Sequence, residues 1–146
     1  MEIQLLVIII IMIACSAFFS ASETALTGAN RIRLKSMAEN GSKGAKMALK
    51  LLDRYDKVIT TILIGNNIVN ITASSLGTIL ATAIVGPDNA ALVSTVVLTL
   101  VILAFGEVMP KSRAKDHSEG LTVATSGIIT FLTFIFTPLS ALFILL

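Results

Sequence analysis

The sequence predicts an all-α membrane protein with at least three transmembrane helices, and three observations carry that prediction. Of the 146 residues, 55% are hydrophobic and 14% charged, with a mean hydropathy of +0.90, which lies outside the range of water-soluble domains. Apolar runs recur at about the 20 residues that a helix needs to cross a hydrocarbon core. The basic residues are confined: eight of the eleven Lys and Arg fall between Arg31 and Lys57, and the other three are Lys111, Arg113 and Lys115.

The first span, about residues 3–27, opens on nearly unbroken aliphatic sequence from Ile3 to Ala17. Its start, Met1-Glu2-Ile3-Gln4, lacks the positive region of a secretory signal, and the apolar run outlasts a signal core, so the segment is expected to be retained as a true span. Polar residues collect at the far end. Ser16, Ser20 and Glu23 follow one another at spacings of four and three, which puts them on one helical face. Cys15 is the sole cysteine, has no intrachain partner and reads as a packing residue.

Between Asn30 and about residue 56, basic residues alternate with Leu34, Met37, Met47, Leu51 and Leu52 around a break at Asn40-Gly41-Ser42. This pattern predicts two short amphipathic helices joined by a glycine turn. Their apolar positions would face lipid or the spans, while Lys43, Lys46, Lys50 and Arg54 face phosphate headgroups, so membrane lipids are expected partners. The interleaved hydrophobic residues and the lack of stacking aromatics argue against a nucleic-acid site.

The second span, about 58–85, carries Gly65-Asn66-Asn67-Ile68-Val69-Asn70 in its middle. Asn66 and Asn70 share a face, and amides at this density read either as hydrogen bonding between helices or as ion ligands. Ala73, Gly77 and Ala81 recur every four residues, the spacing at which membrane helices approach closely. Gly86-Pro87-Asp88-Asn89 predicts a tight turn, with Asp88 or Asn89 capping the next helix.

The third span, about 90–110, contains Glu107 one position after Gly106 and three before Pro110. An ionised carboxylate at bilayer depth is costly unless a cation or a donor compensates it. Pro110 has no N–H to offer the Gly106 carbonyl, four residues earlier. A carboxylate therefore sits beside a freed carbonyl, and hard cations such as Mg2+, Ca2+ and Na+ are bound by oxygens of these two kinds. The alternative is that Glu107 lies at the helix end and snorkels to water beside Lys111.

The distribution of Lys and Arg makes the 31–57 and 111–115 segments cytoplasmic and puts the Pro87 turn and the N-terminus outside. At about 1.5 Å of rise per residue, Ser20, Asn66, Asn70 and Glu107 then reach roughly one level, in the cytoplasmic half of the bilayer. Oxygen ligands converging from three helices favour the cation site over snorkelling. The stretch from Leu121 to Leu146, apolar and interrupted by Pro138, is open to three readings: a fourth span, a helix along the inner interface, or a segment that enters and returns. His117 reads as a loop residue. No nucleophile and base pair is evident, so an enzyme is not expected.

Taken together and in this order, Ser20-Ala21-Ser22-Glu23-Thr24-Ala25, Gly65-Asn66-Asn67 with Asn70, and Gly106-Glu107-Val108-Met109-Pro110-Lys111 resemble the transmembrane module of the CorC/CNNM family of magnesium transporters. The similarity runs over essentially all of residues 1–146. It implies a homodimer with three spans per protomer and a belt of cytoplasmic-side juxtamembrane helices, here about 30–56 and 119–146. It also implies Mg2+ transport, with Na+-coupled export favoured, and places the chain in the cell membrane. Family members continue into CBS-pair cytoplasmic domains, which are absent from this chain, so a truncated membrane core is expected. A member must deliver that next domain to the cytoplasm, which puts 119–146 along or into the inner leaflet.

Carried over by motif, the ion-binding oxygens come from Ser20 and Ser22, Asn66 and Asn70, and Glu107 with the Gly106 carbonyl. Asn67 is turned about 100° from Asn66, and Glu23 is expected to pair with Lys111 or to help bind the counter-ion. Two functions share these requirements. One is a transporter whose helices hinge near Pro110. The other is an ion-sensing receptor or regulatory subunit that binds Mg2+ without passing it.

Overall fold

The computed structural model describes residues 1–145, and among them every element is helical. Helices α1 (Glu2–Gly28), α2 (Arg31–Glu39), α3 (Lys43–Leu52), α4 (Tyr55–Val85) and α5 (Pro87–Val101) lead into a π-helical segment, Ile102–Val108. Then come α6 (Met109–Asp116), α7 (Ser118–Ile135) and α8 (Thr137–Leu145). Four stretches are long and apolar enough to cross a membrane: α1, α4, the continuous Pro87–Asp116 rod and α7.

The rod runs beyond the expected end at residue 110. Pro110 does not stop it: it falls where the backbone passes from π-helix to α-helix, and the hydrogen bond it cannot donate is missing from the wider turn before it. At the other end, neither Asp88 nor Asn89 caps α5. Gly86 takes that place at φ 82° with no side-chain cap, and Pro87 opens the helix. A left-handed backbone here excludes other residues at little gain.

The basic segment folds as its pattern predicts. Asn30 caps α2 by accepting from the N–H groups of Ile32 (2.9 Å) and Arg33 (3.2 Å), and Ser42 caps α3 by accepting from Ala45 (3.2 Å). Gly41 makes the turn between them at φ 94°. Replacing Asn30 by alanine leaves two donors at the head of α2 without their acceptor and is expected to cost about 1 kcal/mol, read from unfolding in detergent.

The packed core sits at one end of the bundle, where Phe19 and Leu26 of α1, Leu51 of α3, Val58 and Ile62 of α4 and Ile129 of α7 meet. Small residues bring the helices together above it. A Cβ on Gly65 would lie 2.5 Å from Phe19 Cζ, and one on Gly77 would lie 2.0 Å from Leu98 Cδ1. The Ala73–Gly77–Ala81 stripe is buried within the chain and is used to seat α5 against α4.

Helix α7 lies alongside α3. Near its start Val123 presses on Gly44, where a Cβ would be 2.7 Å from Val123 Cγ1. Near its end Thr130, Thr133 and Phe134 line a cavity of about 870 Å³ jointly with Lys50, Arg54 and Lys57. Both halves of α7 thus stay beside the basic segment, whereas a helix of this length leaving it end-on would carry its far end about 27 Å away.

Candidate cation site

Ser16 is the point at which three elements meet. Fully buried on α1, its hydroxyl donates to Asn66 Oδ1 of α4 at 2.9 Å. On its other side the π-helical segment comes so close that a Cβ on Gly106 would lie 3.0 Å from Ser16 Oγ. Only glycine admits that approach without displacing the serine. Because Ser16 gives its proton to Asn66, its lone pairs remain free to accept or to ligate.

Around this junction lie polar atoms without partners. Ser20 Oγ, Ser22 Oγ and Asn70 Oδ1 are buried and make no hydrogen bond. Such orphans are uncommon in folded proteins and call for an explanation. Ser20 is one turn from Ser16 on the same face of α1, and Asn70 is one turn from Asn66 on the same face of α4. Since α1 and α4 run antiparallel, Ser20 falls about 6 Å to one side of the Ser16–Asn66 layer and Asn70 about 6 Å to the other. Ser22 is different. It lies about 200° round α1 from Ser20, so the helix turns it away from the Ser16–Ser20 stripe even though it is buried. Asn67, about 100° round α4 from Asn66, is exposed.

The backbone of the π-helical segment adds further acceptors. The N–H of Met109 reaches five residues back to the Ala104 carbonyl, and regular α-helix resumes from Val108. Between them the carbonyls of Phe105, Gly106 and Glu107 have Lys111 as their one remaining in-register donor, because Pro110 has no N–H. At least two of the three therefore go without a helical hydrogen bond. Pro110 alone, read in an unbroken α-helix, predicts one. Segments of π-helix are short and recur at functional sites.

Glu107 lies within this π-helical segment and is half-buried. Lys111 does not neutralise it. Lys111 Nζ lies 3.4 Å from Glu23 Oε2, so that pair ties α6 to α1, and Glu107 makes no ion pair among the described residues. The snorkelling alternative thereby loses its partner, and the expected Glu23–Lys111 pairing is present. Among the described residues no three His, Cys, Asp or Glu stand close enough to hold a metal. A cation here would rest on neutral oxygens and one carboxylate, a set that suits hard ions.

Sequence reasoning placed Ser16 on the face of Ser20 but did not count it among the ligands. The four-residue spacing was the signal. Asn70→Ala removes an oxygen that no protein group satisfies, so it is expected to weaken Mg2+ binding about tenfold, while Asn40→Ala, at the end of α2, leaves it unchanged. Titration calorimetry of the two variants checks this.

The model of the cyclin M transmembrane N-terminal domain matches residues 7–146. The chain belongs to this family. Its relatives include a UPF0053 protein of Haemophilus influenzae, 44% identical over 92% of this chain and 32% of the relative. The inner membrane protein YfjD of Escherichia coli is 44% identical over 85% of this chain and 29% of its own length. A protein of Haemophilus influenzae named polyamine export protein is 26% identical over 90% and 33% respectively. This cyclin M domain thus spans about a third of the length of the curated relatives it matches. The family is defined by a transmembrane domain. Apolar helices and an inner-membrane relative together make this cyclin M domain a multi-pass membrane protein.

Proposed function

We propose that this chain is the membrane module of a magnesium transporter that exports Mg2+ in exchange for Na+, working as a homodimer. What supports the reading is the junction at Ser16, which donates to Asn66 and meets the Gly106 backbone, with buried, unpartnered oxygens of Ser20 and Asn70 a helical turn to either side and with freed carbonyls and the Glu107 carboxylate carried by the π-helical segment that closes on it. A bare dication supplies what each of these groups lacks. Mg2+ prefers six oxygens at about 2.0 to 2.1 Å and gives up water reluctantly. Ser16, Asn66 and the Gly106 carbonyl offer oxygens at one level, Glu107 adds the charge, and Ser20 and Asn70, about 6 Å to either side, reach the ion through water. Ser22 supports helix packing in this reading rather than the shell.

In the proposed topology the N-terminus and the Gly86 turn are outside, and α2, α3 and α6 are at the cytoplasmic face. Helix α7 runs with α3 in a belt at the inner leaflet, which leaves three spans. The contacts of both halves of α7 with the basic segment support this arrangement. One relative bears the name of a polyamine exporter. An extended polycation calls for several spaced acids, and one carboxylate among neutral oxygens fits a compact ion better.

The test is flux. Purified protein in liposomes is expected to move Mg2+ against an opposing Na+ gradient. Binding of Mg2+ with no flux would instead support an ion-sensing receptor.

A further inference from the structure

A cleft of about 270 Å³ runs between α4 and α5, away from the cation site; six of its nine lining residues are polar, and Leu98, Ile102 and Leu103 complete a wall whose surface is mainly apolar. On α4, Asn70, Ser74 and Thr78 recur every four residues; facing them on α5 are Ser94, Thr95 and Thr99. The inner end is Asn70 with its unpartnered Oδ1, beside the first residues of the π-helical segment. At its outer end Thr78 Oγ1 and Ser94 Oγ stand 3.0 Å apart, while Ser74, Thr78, Thr95 and Thr99 are exposed along its flank.

We propose that this cleft is the outward leg of the ion's route, a wettable path from Asn70 toward the Gly86 turn that takes a small, hard, partly hydrated cation. The proposal rests on the transport reading and gives it an exit. Hydroxyl oxygens replace water on such ions, and a lining without carboxylates lets the ion leave once it has entered.

The neighbouring void supplies the contrast. About 300 Å³ between α1, α4 and α5 is walled by aliphatic groups such as Ile9, Leu80 and Val97 and offers an ion nothing. Of the two openings in the outer half, one alone offers polar surface. The Thr78–Ser94 contact is also soft. Thr78 Oγ1 has a second acceptor in the Ser74 carbonyl at 3.1 Å, and Ser94 Oγ has one in the Ala91 carbonyl at 3.2 Å. If the two hydroxyls part, each donates back to its own helix, so opening strands no proton.

Thiol accessibility tests the path. In a Cys15→Ala background, Ser74→Cys, Thr95→Cys and Thr99→Cys are compared in proteoliposomes with Val97→Cys, in the aliphatic void, and Leu100→Cys, on the exposed apolar face. A membrane-impermeant cationic methanethiosulfonate is added on the side of the Gly86 turn. The reactive thiolate forms where water reaches it, so the three cleft positions are expected to react at least about tenfold faster than the two controls. Modification is expected to stop Mg2+ flux and to leave Mg2+ binding intact. Three positions keep the test informative should one variant misfold. The route is overturned if cleft thiols react no faster than Leu100→Cys while the unmodified protein moves Mg2+, or if they form disulfides between two copies of the chain instead. Absence of flux from the wild-type chain would overturn the transport reading, and the route with it.

Discussion

Glu107→Gln is expected to abolish Mg2+ flux and to weaken Mg2+ binding by roughly two orders of magnitude, about 3 kcal/mol. The substitution keeps the shape of the side chain and one oxygen, so the π-helical backbone and the Ser16–Asn66 contact have no reason to move. What it removes is the single negative charge at the junction, which no lysine or arginine pairs with among the described residues. Because the carboxylate has no protein partner to leave stranded, stability in metal-free detergent should rise slightly or stay level. That opposite sign separates a ligand from a structural acid. A loss of stability as large as the loss of binding would show that Glu107 holds the fold and not an ion.

Gly65→Leu is expected to unfold the bundle or to cost at least about 3 kcal/mol, the upper end of what overpacking does. A Cβ at residue 65 would already stand 2.5 Å from Phe19 Cζ and 2.7 Å from Cε1. Phe19 is 7% exposed, sits in the core cluster and meets Phe18 edge-on with ring centroids 5.7 Å apart, so its ring has nowhere to swing. Gly65 also immediately precedes Asn66, so any displacement of α4 there would pull the amide from Ser16. Gly127→Leu is the control, since a Cβ there meets nothing within 4 Å. Thermal unfolding in detergent should show a large drop for the first and little change for the second.

Much of this arrangement was legible in the residues because it is written in side-chain pattern. The break at Asn40-Gly41-Ser42, the amphipathic helices either side of it and the three long apolar stretches all follow from periodicity and turn chemistry. The same is true of the shared face of Ser16 and Ser20 and of the pairing of Glu23 with Lys111. The π-helical segment was not legible. Its seven residues differ from an α-helix in which carbonyl each N–H chooses, a matter of backbone register that leaves no mark in hydrophobic spacing over so short a run. Pro110 pointed to a freed carbonyl but not to the wider turn before it. Ser22 entered the expected ligand set through a motif read along the chain; its hydroxyl is buried and unpartnered like that of Ser20, on a face of α1 about 200° away. The fourth long apolar stretch, α7, fits a span by length and hydropathy, and it packs beside α3 as well as α1, a tertiary arrangement that those two properties do not encode.

The surplus residue in the Ile102–Val108 turn also changes the company the third rod keeps. Before it, α5 packs on α4; after it, α6 packs on α1. An unbroken 3.6-residue repeat would present one continuous stripe to a single neighbour, and the wider turn puts the two halves out of phase so that each can have its own. Deleting one residue from this turn would restore the phase and swing Lys111 about 100° away from Glu23, uncoupling the inner end of the rod from the first helix even though every ligand stayed in the sequence.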